Sequence, residues 1–201
     1  MSSSSVAGLS FKMCLIGDGF VGKTSIRREY LGKSFIASHI ATIGVDFAQK
    51  LVKVDEIPVR LVIWDLAGQD GYQAVRSRYY QGASALIVVY DITIRESFQN
   101  MSLWLAESFK HTEKIPVAVL GNKSDLRTPE NFKTCVRLEE GEAFARSLSE
   151  RIGVPTVFFE TSAKVGENIQ LAFTELARFV IANYEKASEK REKEKGPRKI
   201  M

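Results

Sequence analysis

The sequence predicts an α/β fold, a three-layer sandwich in which a mostly parallel six-stranded sheet is covered by helices on both faces. Three observations support this prediction. Short apolar runs alternate with amphipathic stretches along most of the chain, which is typical of a parallel sheet buried on both faces. Residues 17–24 (GDGFVGKT) match the phosphate-loop pattern G-x-x-x-x-G-K-[ST] between a strand and a helix. Two apolar runs joined by a short turn predict one antiparallel hairpin.

The elements follow in chain order. A buried strand is predicted over 11–16 and a helix over 25–31, followed by a polar stretch over 32–44. The hairpin comprises strands 45–54 and 59–64 with a turn at 55–58, and a polar glycine-containing connection follows over 67–82. Thr93 and Glu96 have the spacing of a capping box, which predicts a helix from there to about residue 111. The remaining predicted elements are strands 85–90, 116–120 and 157–160, and helices 138–152 and 169 onward.

Composition indicates one globular domain with a charged tail. The chain has 201 residues, of which 45% are hydrophobic, and a net charge of +4. Residues 185–201 hold seven basic and four acidic side chains, so the tail carries 7 − 4 = +3 and the rest about +1. This distribution argues against a nucleic-acid binder. We expect a flexible segment over 1–9, the domain over 10–184 and the tail over 185–201, with a cytoplasmic location.

The phosphate loop is the strongest functional signal. Gly17, Gly19 and Gly22 lack Cβ atoms, so the backbone can curl its N–H groups onto a polyphosphate. The helix that begins near Gly22 adds the positive end of its dipole. Lys23 supplies a charge to the β- and γ-phosphates, and Thr24 offers a hydroxyl to Mg²⁺. The nucleotide-binding residues predicted here are Gly17, Asp18, Gly19, Phe20, Val21, Gly22, Lys23, Thr24 and Ser25. The alternative is a glycine-rich turn without a ligand.

Polar motifs follow four predicted strands, whose carboxyl ends meet at one edge of a parallel sheet. They are the phosphate loop, 65–69 (DLAGQ), 121–125 (GNKSD) and 161–164 (TSAK). With these four motifs in this order, the chain resembles the Ras-like small GTPases over roughly residues 11–182. The resemblance implies a P-loop GTPase domain that binds GTP or GDP with Mg²⁺.

Several roles near the phosphates follow from chemistry and from this resemblance. Asp65 ends an apolar strand, where a carboxylate needs a charged partner such as Mg²⁺; an N-cap aspartate is the alternative. Gly68 can present its N–H to the γ-phosphate, and the Gln69 amide suits orienting an attacking water. The resemblance assigns Thr42 to Mg²⁺ and the γ-phosphate, and Phe35 to the guanine ring. The expected metal ligands are Thr24, Thr42 and Asp65; the expected catalytic residues are Gln69, Lys23, Thr42 and Gly68.

The motif at 122–125 (NKSD) resembles the guanine-reading motif of the family. Asp125 can accept hydrogen bonds from guanine N1–H and the 2-amino group, neither of which adenine offers, so GTP is favoured over ATP. Lys123 can lay its aliphatic stem along the base. The resemblance implies that the backbone N–H of Ala163 reads guanine O6. The expected base-side residues are Asn122, Lys123, Asp125, Ser162, Ala163 and Lys164.

Within this superfamily the chain resembles the Rab family. The segments 43–47 (IGVDF), 79–83 (YYQGA) and 89–93 (VYDIT) carry the likeness. Three aromatic residues match the Rab surface for effectors, with sheet packing as the alternative: Phe47, Trp64 and Tyr79. The resemblance implies an exchange factor, an activating protein and effectors that bind through two switch segments. It also implies a monomer that acts in membrane trafficking or signalling.

The chain departs from the Rab pattern twice. Residues 65–72 are DLAGQDGY where Rabs usually have DTAGQERF, and Gly71 is expected to loosen this segment. Residues 196–201 contain no cysteine, so we expect no prenyl anchor and only weak or indirect membrane contact.

The sequence therefore predicts a slow Mg²⁺-dependent GTPase that acts as a molecular switch. One alternative is a nucleotide-binding interaction module that does not hydrolyse GTP, against which Gln69, Thr42 and Lys23 argue. The other is a metabolic ATPase or kinase with the same phosphate loop. Such an enzyme has no reason to carry the motif at 122–125 after a strand.

Overall fold

The sheet has six strands in the order β2-β3-β1-β4-β5-β6, in a computed structural model that describes residues 8–35, 42, 44–68 and 73–195. All neighbouring strands are parallel except β2 and β3. The fold class predicted from the sequence is therefore confirmed. The strands are β1 Leu9–Ile16, β2 Val45–Val54, β3 Ile57–Leu66, β4 Ala85–Asp91, β5 Val117–Asn122 and β6 Thr156–Thr161.

Helices lie on both faces of this sheet. The described helices are α1 Lys23–Tyr30, α2 Gln73–Tyr80, α3 Arg95–Gln99, α4 Met101–Ser108, α5 Leu138–Ile152 and α6 Ile169–Lys195. A short 3₁₀ turn, Ser124–Leu126, follows β5. No helix in the described ranges combines the length and the apolar character that crossing a bilayer requires.

The core consists of two apolar layers separated by the sheet. On one face, strand residues such as Leu15 pack with Ile26 of α1 and Phe173 of α6. On the other face, Leu86 and its neighbours pack with residues of α2, α4 and α5. Strand β4 is buried along its whole length, as expected for a strand inside a parallel sheet. The parallel pairing of the strands places their carboxyl ends, and the motifs that follow them, at one edge of this sheet.

The hairpin of β2 and β3 is confirmed, with a tighter turn than predicted. Asp55 and Glu56 both have positive φ, 45° and 71°, and they alone connect the strands. Two-residue turns of this kind match the twist of a hairpin. Ile57 and Pro58 therefore belong to β3. Pro58 pairs with Lys53 of β2, and the register with β1 begins one residue later.

Two predictions about helices were wrong. Helix α2 occupies part of the segment 67–82 that was predicted as a connection. The helix predicted from Thr93 is divided at Asn100 into α3 and α4. Its capping box is absent, because the Thr93 hydroxyl donates to Asp91 Oδ1 at 2.7 Å instead of to the helix. Ile94 occupies the N-cap position of α3, without a side-chain hydrogen bond.

Candidate functional site

Four loops meet at the carboxyl edge of the parallel strands. The phosphate loop follows β1, Ala67 and Gly68 follow β3, Lys123 follows β5, and Ser162 follows β6. This is the edge at which open α/β sheets bind ligands. Gln69 lies outside the described residues, as do Gly71 and Tyr72. Phe35 is the last described residue before a break and is largely exposed.

The phosphate loop turns through three residues with positive φ: Gly17 (132°), Phe20 (63°) and Gly22 (102°). At Gly22 a Cβ atom would lie 2.2 Å from Asn122 Nδ2, so the loop needs glycine there. Gly19, which was expected to help the loop curl, does not have a positive φ, and Phe20 adopts the left-handed conformation instead. That conformation is strained for a bulky residue. The Phe20 side chain is 57% exposed.

Lys23 is buried at the centre of the loop. Its Nζ donates to the carbonyl oxygens of Gly17 at 2.7 Å and Asp18 at 2.6 Å. Burial lowers the pKa of its ammonium group to about 8, against the opposing effect of Asp65 and Asp18. A Cβ on Gly68 would lie 2.5 Å from Lys23 Nζ, so only glycine lets the chain after β3 approach this close. The loop thus holds a positive charge in an enclosed place.

Thr24, Thr42 and Asp65 meet beside this lysine. Thr24 Oγ1 donates to Asp65 Oδ2 at 2.5 Å and lies 2.8 Å from Thr42 Oγ1. Asp65 is completely buried, and its Oδ1 has no hydrogen-bond partner among the described residues. Burial raises the pKa of its carboxyl, opposed by Thr24 and by the charges of Lys23 and Arg27. Two hydroxyls and a buried, unpaired carboxylate oxygen suit a hard cation such as Mg²⁺.

Arg27 also reaches this cluster, and the sequence analysis did not predict it. Its guanidinium NH2 is paired with Asp46 Oδ2, and its Nε lies 3.9 Å from Asp65 Oδ2. The Nε atom has no hydrogen-bond partner among the described residues. Arg27 follows Thr24 by three positions in α1, which places both on one helix face. The three-residue spacing from Thr24 is the sequence feature that could have indicated Arg27 as a member of this cluster.

A second set of residues, which the sequence did not indicate, holds the phosphate loop through the side chain of Asp18. The Asp18 carboxylate accepts hydrogen bonds from Trp104 Nε1 at 2.6 Å and Asn100 Nδ2 at 2.8 Å. The Arg76 guanidinium lies over the Trp104 ring, 4.4 Å from its centroid, and forms an ion pair with Glu107 at 2.9 Å. The side chain of Asp18 therefore ties the loop to α4. No short-range signal links residues more than 80 positions apart.

Asn122 connects the phosphate loop with the end of β6. Its Nδ2 donates to the carbonyl of Val21 at 2.8 Å. Its Oδ1 accepts from the backbone N–H of Ala163 at 3.2 Å and from Thr161 Oγ1 at 3.3 Å. Both ends of this amide are thus occupied by protein groups. The Asn122 side chain therefore connects the phosphate loop and the loop after β6 by hydrogen bonds.

Asp125 is held by a hydroxyl and lies near a cation. Ser162 Oγ donates to Asp125 Oδ1 at 2.6 Å and accepts from the N–H of Lys164 at 3.2 Å. Lys164 Nζ lies 3.8 Å from Asp125 Oδ2. Nearby, Lys123 Nζ pairs with Asp91 Oδ2 at 2.6 Å. These contacts fix the Asp125 carboxylate at the end of the sheet.

Three aromatic rings form a surface beside the site, here called the aromatic platform: Phe47, Trp64 and Tyr79. Phe47 and Trp64 are stacked at 5.1 Å between centroids, and Trp64 and Tyr79 are 5.3 Å apart. Phe47 is 53% exposed. Lys12 Nζ lies 4.6 Å from the Trp64 ring centroid. The rings form one continuous row across β2, β3 and α2, in which Trp64 and Tyr79 are half-buried and also pack against the core.

Comparison with known proteins agrees with this geometry. The family model described as the Ras family matches residues 12–182. The human protein named Ras-related protein Rab-37 is 41% identical over 172 residues, which cover 85% of this chain and 73% of the human protein. The matched region includes each of the strand-end motifs described above.

Proposed function

This chain belongs to the Ras family, and on that premise we propose how its own residues perform the reaction of the family. It is a Rab-like small GTPase that binds GTP and GDP with Mg²⁺, hydrolyses GTP and acts as a molecular switch. Switches of this family act with exchange factors, activating proteins and effectors.

We propose that Thr24, Thr42 and Asp65 hold Mg²⁺, directly or through water. The observation that carries this assignment is the Asp65 Oδ1 atom, which is buried and has no partner among the described residues, beside two hydroxyl groups. Leaving such an oxygen unpaired costs free energy, and a cation removes that cost. When bound, Mg²⁺ supplies positive charge next to the β- and γ-phosphates.

Lys23 is proposed to move its ammonium group from the loop carbonyls onto the β- and γ-phosphates. Its lowered pKa reflects burial without an adequate counter-charge, and a triphosphate provides that charge. The first-turn N–H groups of α1, including those of Thr24 and Ser25, add donors at the positive end of the helix. No acidic residue occupies that first turn, so nothing there competes with the phosphates.

Hydrolysis requires a water placed in line with the bond between the γ-phosphorus and the bridging oxygen. We propose that Gln69 orients this water and that the N–H of Gly68 contacts the γ-phosphate. Lys23 stabilises the negative charge that develops as the bond breaks. Gln69 lies outside the described residues, so its role is argued from its position three residues after the end of β3. Unassisted turnover in this family is on the order of 10⁻⁴ to 10⁻³ s⁻¹, and we expect the same here.

Guanine is proposed to bind against Asp125, the N–H of Ala163 and the stem of Lys123, with Phe35 at its edge. The hydrogen bond from Ser162 occupies Asp125 Oδ1 and orients the other oxygen. Partner proteins are proposed to dock on the aromatic platform, in which Phe47 is exposed and Trp64 and Tyr79 are half-buried. We further propose that residues 10–184 form the GTPase domain, that the chain is monomeric, and that it acts in membrane trafficking.

Two measurements test this function together. The nucleotide that co-purifies with the chain is identified by chromatography after denaturation, and single-turnover hydrolysis is followed with GTP and with ATP. We expect bound GDP or GTP, and slow conversion of GTP only. Bound adenine nucleotide would contradict the base assignment. GTP that binds but is not hydrolysed over many hours would favour the interaction-module alternative.

A further inference from the structure

Two carboxylates of like charge face each other beside the proposed metal site. Asp46 of β2 is the direct cross-strand partner of Asp65 of β3, so their side chains leave the sheet on the same face. Like charges in this position are destabilising. Arg27 lies between them, with NH2 paired to Asp46 Oδ2 and Nε 3.9 Å from Asp65 Oδ2. The arginine thus compensates both carboxylates.

The two carboxylates differ in their surroundings. The Asp65 side chain is completely buried, whereas the Asp46 side chain is 59% exposed. Arg27 makes its close contact with the exposed carboxylate and only a distant one with the buried carboxylate. The Nε atom that faces Asp65 has no hydrogen-bond partner among the described residues. Arg27 is thus held close to Asp46, and the Asp65 oxygen without a hydrogen-bond partner among the described residues is Oδ1, not the Oδ2 that Arg27 approaches.

We propose that Arg27 and Asp46 set the Mg²⁺ affinity of this GTPase, with Arg27 acting as a positioning residue for Asp65. This inference rests on the metal site proposed above. A guanidinium close to Asp65 competes with the cation for the same carboxylate and repels it. Pairing with Asp46 offsets that positive charge. Among the described residues, Lys23 is the other cation whose charge acts on Asp65, and it is the lysine proposed above to bind the phosphates. The balance between Arg27 and Asp46 therefore decides how strongly the site attracts Mg²⁺.

The proposal predicts shifts of opposite sign for two substitutions. Asp46→Asn removes the counter-charge, so Arg27 moves onto Asp65 and Mg²⁺ binds more weakly. Arg27→Met removes the competing cation and leaves two carboxylates, so Mg²⁺ binds more tightly. One unit of charge at this short range changes the affinity by about three- to tenfold. The double variant should lie between the two single variants.

The experiment uses the full chain loaded with a fluorescent GDP analogue. Release of this analogue is followed over a range of free Mg²⁺ concentrations set with a chelator. The Mg²⁺ concentration at which half of the analogue is retained is then compared between variants. Glu56→Gln is the matched control. It removes one negative charge from the turn of the same hairpin, where Glu56 is exposed and pairs with Lys53, ten residues along the chain from Asp46.

We expect Asp46→Asn to raise the half-maximal Mg²⁺ concentration about three- to tenfold, Arg27→Met to lower it, and Glu56→Gln to leave it unchanged. Asp46→Asn changes an exposed side chain, so the proposal can be decided by this variant even if Arg27→Met does not fold. Equal values for Asp46→Asn and Glu56→Gln, or a shift of Asp46→Asn to lower concentrations, would overturn the inference. If chelation fails to accelerate release from the unaltered protein, the metal site itself is wrong.

Discussion

The two ends of the nucleotide site are built differently. At the base end, Asn122 and Ser162 each make several hydrogen bonds to protein groups, and Asp125 is held by one of them. At the phosphate end, Lys23 contacts only carbonyl oxygens among the described residues. There the Asp65 Oδ1 and Arg27 Nε atoms have no hydrogen-bond partners within the described ranges. At the base end, polar side chains are paired with other protein groups. At the phosphate end, charged groups lack such partners among the described residues, and a ligand can supply them.

This difference indicates where ligand binding stabilises the protein. Because the hydrogen bonds of the base end are made between protein groups, we expect its shape to depend little on a bound nucleotide. Buried charges at the phosphate end carry a desolvation cost that a triphosphate and Mg²⁺ can offset. A ligand that binds only the folded state also raises stability by mass action. We therefore expect binding of nucleotide and Mg²⁺ to stabilise the phosphate end of this protein more than the base end.

The largest effect is expected from Asp125→Asn, at the base end. The substitution keeps the size of the side chain but replaces a carboxylate oxygen with a donor, so guanine is no longer matched. We expect GTP affinity to fall about a hundredfold or more and the relative affinity for xanthosine triphosphate to rise. Competition against a fluorescent nucleotide measures both.

Ser124→Ala serves as the control for that substitution. It removes a neighbouring hydroxyl that contacts only Glu167 among the hydrogen bonds of the described residues. If Asp125→Asn keeps the original preference for GTP, Asp125 does not read the base, and the base end would have to recognise guanine by other groups.

The next largest effect is expected from Thr24→Asn, at the phosphate end. Loss of the hydroxyl removes a proposed metal ligand and the hydrogen bond to Asp65. We expect about a 10- to 100-fold loss of affinity for Mg²⁺·GTP and a smaller loss for GDP, because a triphosphate carries more negative charge for Mg²⁺ to neutralise. Competition binding at fixed Mg²⁺ measures the ratio, and equal losses for both nucleotides would argue against the metal assignment.

Gln69→Leu separates catalysis from binding at the same end. The phosphate contacts remain while the group that orients water is lost. Single-turnover hydrolysis should slow about tenfold or more, with nucleotide affinity unchanged within about twofold. An unaltered rate would exclude Gln69 from this role.

The smallest effect is expected from Trp104→Phe, which tests how the phosphate loop is anchored from outside. The change removes the N–H that donates to Asp18 but keeps a ring beneath Arg76. Because Asn100 still holds the carboxylate, we expect the free energy of unfolding to fall by only about 1 kcal/mol. Urea denaturation measures it, with Leu103→Ala on the exposed side of α4 as control. A loss no larger than the control's would mean that this contact does not hold the loop.

Much of the fold could be predicted because its strands are strongly apolar and its helices amphipathic. The bounds of β2 and α5 agree with the sequence prediction. Helix α2 (QAVRSRYY) was missed because it lies in a polar segment, 67–82, that contains three glycines. The break at Asn100 was missed because residues 95–108 contain no glycine or proline to signal it.

The site was predictable where its residues are contiguous in sequence, as in the phosphate loop and at 122–125. Contacts that depend on strand register and on packing could not be predicted. Asp46 meets Asp65 only because of the pairing of β2 with β3, and Asp18 meets Trp104 across 86 positions. Phe20 shows a different limit, since its left-handed conformation at an ordinary residue opposes local propensity.

Hydrogen exchange tests the central contrast between the two ends most directly. Backbone amides of the nucleotide-free protein are compared with those of the protein loaded with GDP and Mg²⁺. We expect a large gain in protection over residues 17–24 and 65–68, and a small gain over 121–126 and 161–164, which should already be protected without ligand. Equal gains at both ends, or a larger gain at the base end, would contradict it.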